Sequence, residues 1–334
     1  MSYPTNDTAY PGGLEEASSQ GIHLQPLSTG QVLDRTFVLY RSRFALFAGL
    51  AVFPAAVSLV FGLAQLAYLL ATHAPLNGVG GQVFSTAYLV NMGIGLAGGL
   101  ARLCVYGISI AATTWCIARI YLGEPATMKA GFHVAFKNWF RYIVLVLAQA
   151  WFASWLPVLA LTAILAALFA IPGVAPALGS ALQGVLMFAA IAGFLVWIMI
   201  RFIRVALAIP ACVVEELPIR ASVRRSRALL VSRKVRIFLL FLFIVVLELV
   251  FSAVLIPFAV LAQKHGPTGL MIFQLVTLTI TFLYGVLVSP IAAIGLCLFY
   301  FDERVRREGF DIEFLMQRSA APVAPVTEAD PAQA

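Results

Sequence analysis

Long apolar runs alternate with short, polar and basic segments along almost the whole chain. Six stretches reach the length of about 20 residues that a helix needs to cross the hydrocarbon core. They are 44–71, 86–122, 142–171, 177–211, 237–262 and 269–301. A helix satisfies its own backbone hydrogen bonds in lipid, where an isolated strand does not. The pattern therefore predicts an all-α, polytopic transmembrane helical bundle of about six spans. The second stretch leaves two readings open: one overlong helix, or a short piece around 89–100 followed by a proper span. Pro54, Pro157, Pro210, Pro257 and Pro290 fall inside apolar stretches and predict kinks there.

A different periodicity precedes each pair of spans. Leu33, Phe37, Tyr40, Phe44 and Phe47 recur at helical spacing, with Ser28 and Gln31 in a capping-box arrangement at the start. Met128, Phe132, Phe136 and Trp139 repeat the stripe after Pro125, and Ile219, Val223 and Leu230 form a thinner one after Pro218. Segments 32–44 and 223–235 align without gaps in their polar and apolar rhythm. The reading is a threefold unit, a cytoplasmic interfacial amphipathic helix followed by a span hairpin. A closing amphipathic segment, 302–316, carries Val305, Ile312 and Leu315 on one side. Such helices bind lipid headgroups or dock partners, or simply rest connectors on the interface.

Charge supplies the orientation. Arg35, Arg41, Arg43, Arg119, Lys129, Lys137 and Arg141 lie on one side of the predicted membrane. Arg220, Arg224, Arg225, Arg227, Arg233, Lys234, Arg236, Arg304, Arg306, Arg307 and Arg318 share that side, making eighteen of the 22 Lys and Arg residues. Only Lys264 falls opposite. Basic loops stay cytoplasmic, so both termini are expected in the cytoplasm of a bacterial inner membrane. Residues 1–26 and 319–334 read as disordered cytoplasmic tails flanking a membrane domain at 27–318. No signal-peptide pattern opens the chain.

Composition agrees. Of 334 residues, 61% are hydrophobic and only 11% charged, against about 25% charged in soluble domains. The net charge of +7 sits beside apolar runs, which points to anionic lipid headgroups as partners and away from nucleic acid. Arg35, Arg41, Arg43, Arg224, Arg225 and Arg227 are the candidate lipid contacts, and a membrane protein partner is the other possibility.

Chemistry is sparse. Cys104, Cys116, Cys212 and Cys297 lie singly in apolar stretches, and the four histidines are scattered. No metal site, cofactor site or catalytic motif is read from them. Gly93, Gly95 and Gly98 spell G-x-G-x-x-G inside an apolar helical stretch, where close helix packing is the expected role. Glu215–Glu216 and Asp302–Glu303 adjoin arginines and read as neutralising them. The candidate intramembrane polar site is Glu248 with Arg102, Arg201 and Arg204, because ionisable groups are costly in lipid. A Glu248–arginine pair would serve as a proton or substrate site, or as a structural ion pair fixing helix register. Arg201 and Arg204 could equally snorkel to headgroups.

Two stretches carry a family resemblance. PLSTGQVLDRTFVLYRSRFALF (26–47) resembles the opening motif of the membrane domain found in some bacterial glycerophosphodiester phosphodiesterases. YFDERVRREGFDIEFL (300–315) resembles the closing motif of the same family, and 206–236 resembles its serine/arginine segment. In the fused enzymes the resemblance implies a separate catalytic barrel, with a histidine, an arginine and acidic metal ligands. No such stretch occurs here, so the resemblance implies a stand-alone membrane domain without that activity. The expected function is a non-enzymatic module organising lipids or partner proteins. The alternative is a transporter or lipid translocator using Glu248 and the intramembrane arginines.

Overall fold

The computed structural model describes residues 27–72, 86–169, 174–230, 234–309 and Met316. The expected tails and most of the closing amphipathic segment lie outside the described residues. Among these, all regular structure is helical, in the order α1 (Thr29–Ser42), α2 (Phe44–Thr72), α3 (Thr86–Tyr121), α4 (Met128–Lys137), α5 (Trp139–Phe169) and α6 (Val174–Ile203). There follow α7 (Ala208–Val214), α8 (Ile219–Leu229), α9 (Lys234–Ala253), α10 (Ile256–Lys264), α11 (Gly266–Leu287) and α12 (Ser289–Glu308). Six segments are long and apolar enough to cross a membrane. The protein is an all-α polytopic transmembrane bundle.

The second apolar stretch is one unbroken helix, α3. Prolines sort the others. Pro54 and Pro157 sit inside continuous helices, whereas the fourth, fifth and sixth stretches each divide in two. Proline clashes with the carbonyl four residues back and has no N–H to donate, but is tolerated in a helix's first turn. Pro257 and Pro290 accordingly open α10 and α12, and Pro210 falls in the first turn of α7.

Side chains from elsewhere satisfy the groups freed at these breaks. Gln149 donates to the Val205 carbonyl at 2.6 Å. Ser226 donates to the Arg204 carbonyl and accepts from the Leu207 N–H. Tyr40 donates to the Leu287 carbonyl at 2.7 Å, between α11 and α12.

Contacts close the spans into a ring in the order α3, α2, α11, α9, α6, α5, with α9 touching its neighbours lightly. The dense core sits at one end. There, Phe47, Ile117, Leu207, Tyr300 and Phe301 form one buried cluster, and Leu50, Ala112, Tyr142, Leu145 and Ala208 form another. The apolar surfaces of α6 and α9 are largely uncovered by protein.

α1, α4 and α8 precede the span pairs, as the repeat predicts, and Ser28 and Gln31 form the capping box. Each buries a few mostly small residues. α1 buries Val32 and Thr36, α4 buries Gly131 and Ala135, and α8 buries Ser222, Ser226 and Leu229. Small residues let each short helix lie close against the bundle. The large side chains Phe37, Phe44, Met128, Phe136 and Trp139 are left exposed. Residues 302–308 are not a separate amphipathic segment but the last turns of α12, which ends at Gly309 with φ 65°.

Of the glycine run in α3, Gly95 and Gly98 pack closely, as expected, whereas Gly93 faces open space. A Cβ on Gly98 would lie 2.6 Å from the Phe61 Cβ of α2, and one on Gly95 would lie 2.8 Å from Gln65. Gly98→Ala is expected to lower the unfolding free energy by about 1–3 kcal/mol, read from denaturation in detergent. Unchanged stability would show that α2 and α3 separate there without cost.

Candidate functional site

Two neighbouring arginines and a third, distant in sequence, come together beside the α6–α7 break. Arg201 lies in the last turn of α6 and Arg204 just follows it, while Arg227 comes from the last turn of α8. With Phe152 of α5 and Val205 they line a recess of about 210 Å³. Arg201 Nε donates to the Phe152 carbonyl at 2.7 Å, and the Arg227 guanidinium lies 5.8 Å from the centre of the Phe152 ring. None of the three forms an ion pair with a carboxylate among the described residues. Three clustered cations without an acid repel one another, and an anion placed between them would relieve that repulsion.

Other arginines are already partnered. Arg225, expected as a lipid contact, bonds Glu215 at 3.0 Å and Glu308 at 2.5 Å. The Glu308 hydrogen bond is the largest cause holding its pKa above the usual arginine value. Arg304 reaches the same two carboxylates, and Tyr300 donates to Glu215. Alongside, Asp302 and Glu303 are buried and meet Arg236, Arg306 and Arg307. Asp302 also accepts from the Leu27 N–H at 2.6 Å. The opening segment at Leu27 and the closing FDER residues therefore interlock. Glu215, Asp302 and Glu303 neutralise arginine as expected, through specific bonds, whereas the Glu216 carboxylate forms no ion pair among the described residues. Glu216 takes φ 53°, while Arg141 donates to the carbonyls of Glu216 and Leu217.

Arg41, Arg43 and Arg224 are exposed; Arg35 is exposed too and hydrogen-bonds Tyr121. The expected pairing of Glu248 with an intramembrane arginine does not form. Glu248 on α9 is exposed and makes no ion pair among the described residues, and Arg102 on α3 is likewise unpaired. α3 and α9 stand apart in the ring, so these side chains do not close the distance. Arg201 and Arg204 join Arg227 instead.

Spacing linked Arg201 with Arg204, but Arg227 and Phe152 were not foreseen as their neighbours. The serine-rich face of α8 was the available signal, because Ser226 is what seats α8 against Arg204. Among the described residues, no group of three His, Cys, Asp or Glu side chains could hold a metal ion.

Fold and recess together define a polytopic helical membrane protein with a cationic recess at the end of one span. No protein-family model, curated protein or solved structure matches the chain.

Proposed function

We propose that the protein is a non-enzymatic membrane module that gathers anionic lipid at the cytoplasmic face of a bacterial inner membrane. The observation that carries this reading is the recess of Arg201, Arg204 and Arg227, cationic and without a carboxylate. The exposed Phe37, Phe44, Phe136 and Trp139 support it, since a lipid interface would cover them. Eighteen of 22 basic residues on one side support cytoplasmic termini. The motif resemblance at 26–47 and 300–315 supports membership of the phosphodiesterase membrane-domain family without its barrel.

The test is native mass spectrometry of protein taken gently from its own membrane. Each arginine near anionic lipid contributes about 1 kcal/mol, so the three together favour anionic over neutral lipid by up to about 100-fold. Replacing Arg201, Arg204 and Arg227 with glutamine should abolish retained phosphatidylglycerol or cardiolipin. Retention at the original level would refute the recess. For orientation, reporter fusions at either terminus should be active only in the cytoplasm; activity outside it would reverse the topology.

A second reading, lipid translocation, is favoured by the unpaired exposure of Glu248 and Arg102. It predicts scrambling of labelled lipid in vesicles that Glu248→Gln abolishes, and the absence of scrambling by the unaltered protein would exclude it.

A further inference from the structure

A second space adjoins the arginine recess across one turn of backbone. It is a largely apolar cavity of about 130 Å³, walled by Tyr106 and Ile110 of α3, Gln149 of α5, Phe202 of α6, Ala206, and Leu296 of α12. At the α6–α7 break the chain serves both spaces in alternation. Arg201, Arg204 and Val205 line the recess, while Phe202 and Ala206 line the cavity. Gln149 ties the two walls together, because it lines the cavity and donates to the Val205 carbonyl at 2.6 Å. The Tyr106 hydroxyl has no hydrogen-bond partner among the described residues.

An apolar protein cavity of about 150 Å³ takes up a benzene-sized ligand, so this one has room for about six carbons. Cations on one side of a shared wall and an apolar hollow on the other suit a molecule that carries an anion and hydrocarbon close together. In a bilayer that molecule is a phospholipid. We propose that recess and cavity form one site for a single anionic phospholipid. Its phosphate lies among Arg201, Arg204 and Arg227, and the ester-linked start of one chain lies in the cavity. There the Tyr106 hydroxyl donates to the ester carbonyl. The proposal rests on the recess reading above and adds the chain, which free phosphate lacks.

The probe is phosphatidylglycerol carrying a photoreactive diazirine near the ester end of one chain, added to the full-length protein in vesicles. Labelled residues are mapped by mass spectrometry. Label is expected on Ile110 and Ile209, which line the cavity and are buried from the surrounding bilayer. Ala150 and Ala293 also line it, and Ala150→Leu or Ala293→Leu should lower that label about tenfold by filling the space. Label on Leu249, which α9 exposes, should stay the same and reports insertion. Should both leucine variants fold poorly, Tyr106→Phe removes only the hydroxyl and should lower the cavity label about threefold. Glutamine at Arg201, Arg204 and Arg227 together should lower it at least about tenfold. An excess of inorganic phosphate should displace none of it, and displacement would make the recess a free-anion site. Wild-type protein that retains phosphatidylglycerol but carries no cavity label would overturn the chain site and leave the recess standing. Cavity label that survives the glutamine changes would overturn the single-lipid site.

Discussion

Replacing Arg236 with methionine should lower the unfolding free energy by about 3 kcal/mol, the scale for breaking a buried ion pair by removing one partner. Arg236 sits at the start of α9 with a side chain only 13% exposed, between Asp302 at 0% and Glu303 at 1%. Each of its nitrogens has separate work: Nε donates to Thr29, Nη1 to Asp302 at 2.8 Å, and Nη2 to the Leu27 carbonyl at 2.6 Å. Arg306 and Arg307 still reach the two acids in the variant, which keeps the loss near the low end of the range for such pairs. Arg236→Lys should recover little, because an ammonium cannot match a planar fork with three fixed partners. Denaturation in detergent with the double variant Arg236→Met/Asp302→Asn completes the test. If the two losses simply add, the residues do not act as a pair and the interlock is wrong.

A bulky residue at Gly107 should cost a similar amount, about 3 kcal/mol, the upper part of the range for overpacking. A Cβ there would meet the Tyr142 carbonyl oxygen at 3.1 Å and the Ile143 Cα and N at 3.2 and 3.3 Å. All three are backbone atoms of α5, so no side chain can rotate aside and the helices must part. Gly107→Leu is the variant, and a melting point equal to wild type would show that α3 and α5 are not closely packed. At Gly62 a Cβ would instead meet the flexible end of Leu278, so Gly62→Ala should be tolerated better than the equivalent change at Gly107.

These two sites differ in how far the sequence announces them. Gly107 stands in an apolar stretch like several other glycines, and nothing local says that it faces the backbone of a neighbouring span. Arg236 lies in a basic run beside a predicted span, where it is indistinguishable from Arg224 or Arg227. Structure assigns the three to different tasks: Arg236 to a buried knot, Arg227 to the recess, Arg224 to the exposed surface. The acidic pair Asp302–Glu303 announced arginine partners through its neighbours, yet Leu27 and Arg236 come from far along the chain.

The short helices show the same limit. Their large apolar stripes were visible at helical spacing, and burial of those stripes against protein would be the default in a soluble fold. The bundle buries small residues beside them, at Thr36, Gly131, Ala135, Ser222 and Ser226, and packs the α8 stripe of Ile219, Val223 and Leu230 on the core. Phe37, Phe44, Met128, Phe136 and Trp139 face outward. In lipid, large apolar groups lose nothing by facing outward, while small residues let helices approach closely.

Helical class and the six spans were set by the sequence alone, and prolines marked the three breaks without distinguishing them from Pro54 and Pro157, which stay inside continuous helices. Each depends on contiguous residues, because a helix in lipid closes its own hydrogen bonds and proline acts within one turn. Arg304, Arg306 and Arg307 pair with Glu308, Asp302 and Glu303 four residues away on α12, but which distant arginines are neutralised was decided only by tertiary structure. Glu215 and Glu308 claim Arg225, and Asp302 and Glu303 claim Arg236, across the fold. Arg201, Arg204 and Arg227 are left together because the α6–α7 break and the Ser226 contact bring α8 onto them. Ionic pairing falls off steeply with distance in space, and chain order does not encode that distance.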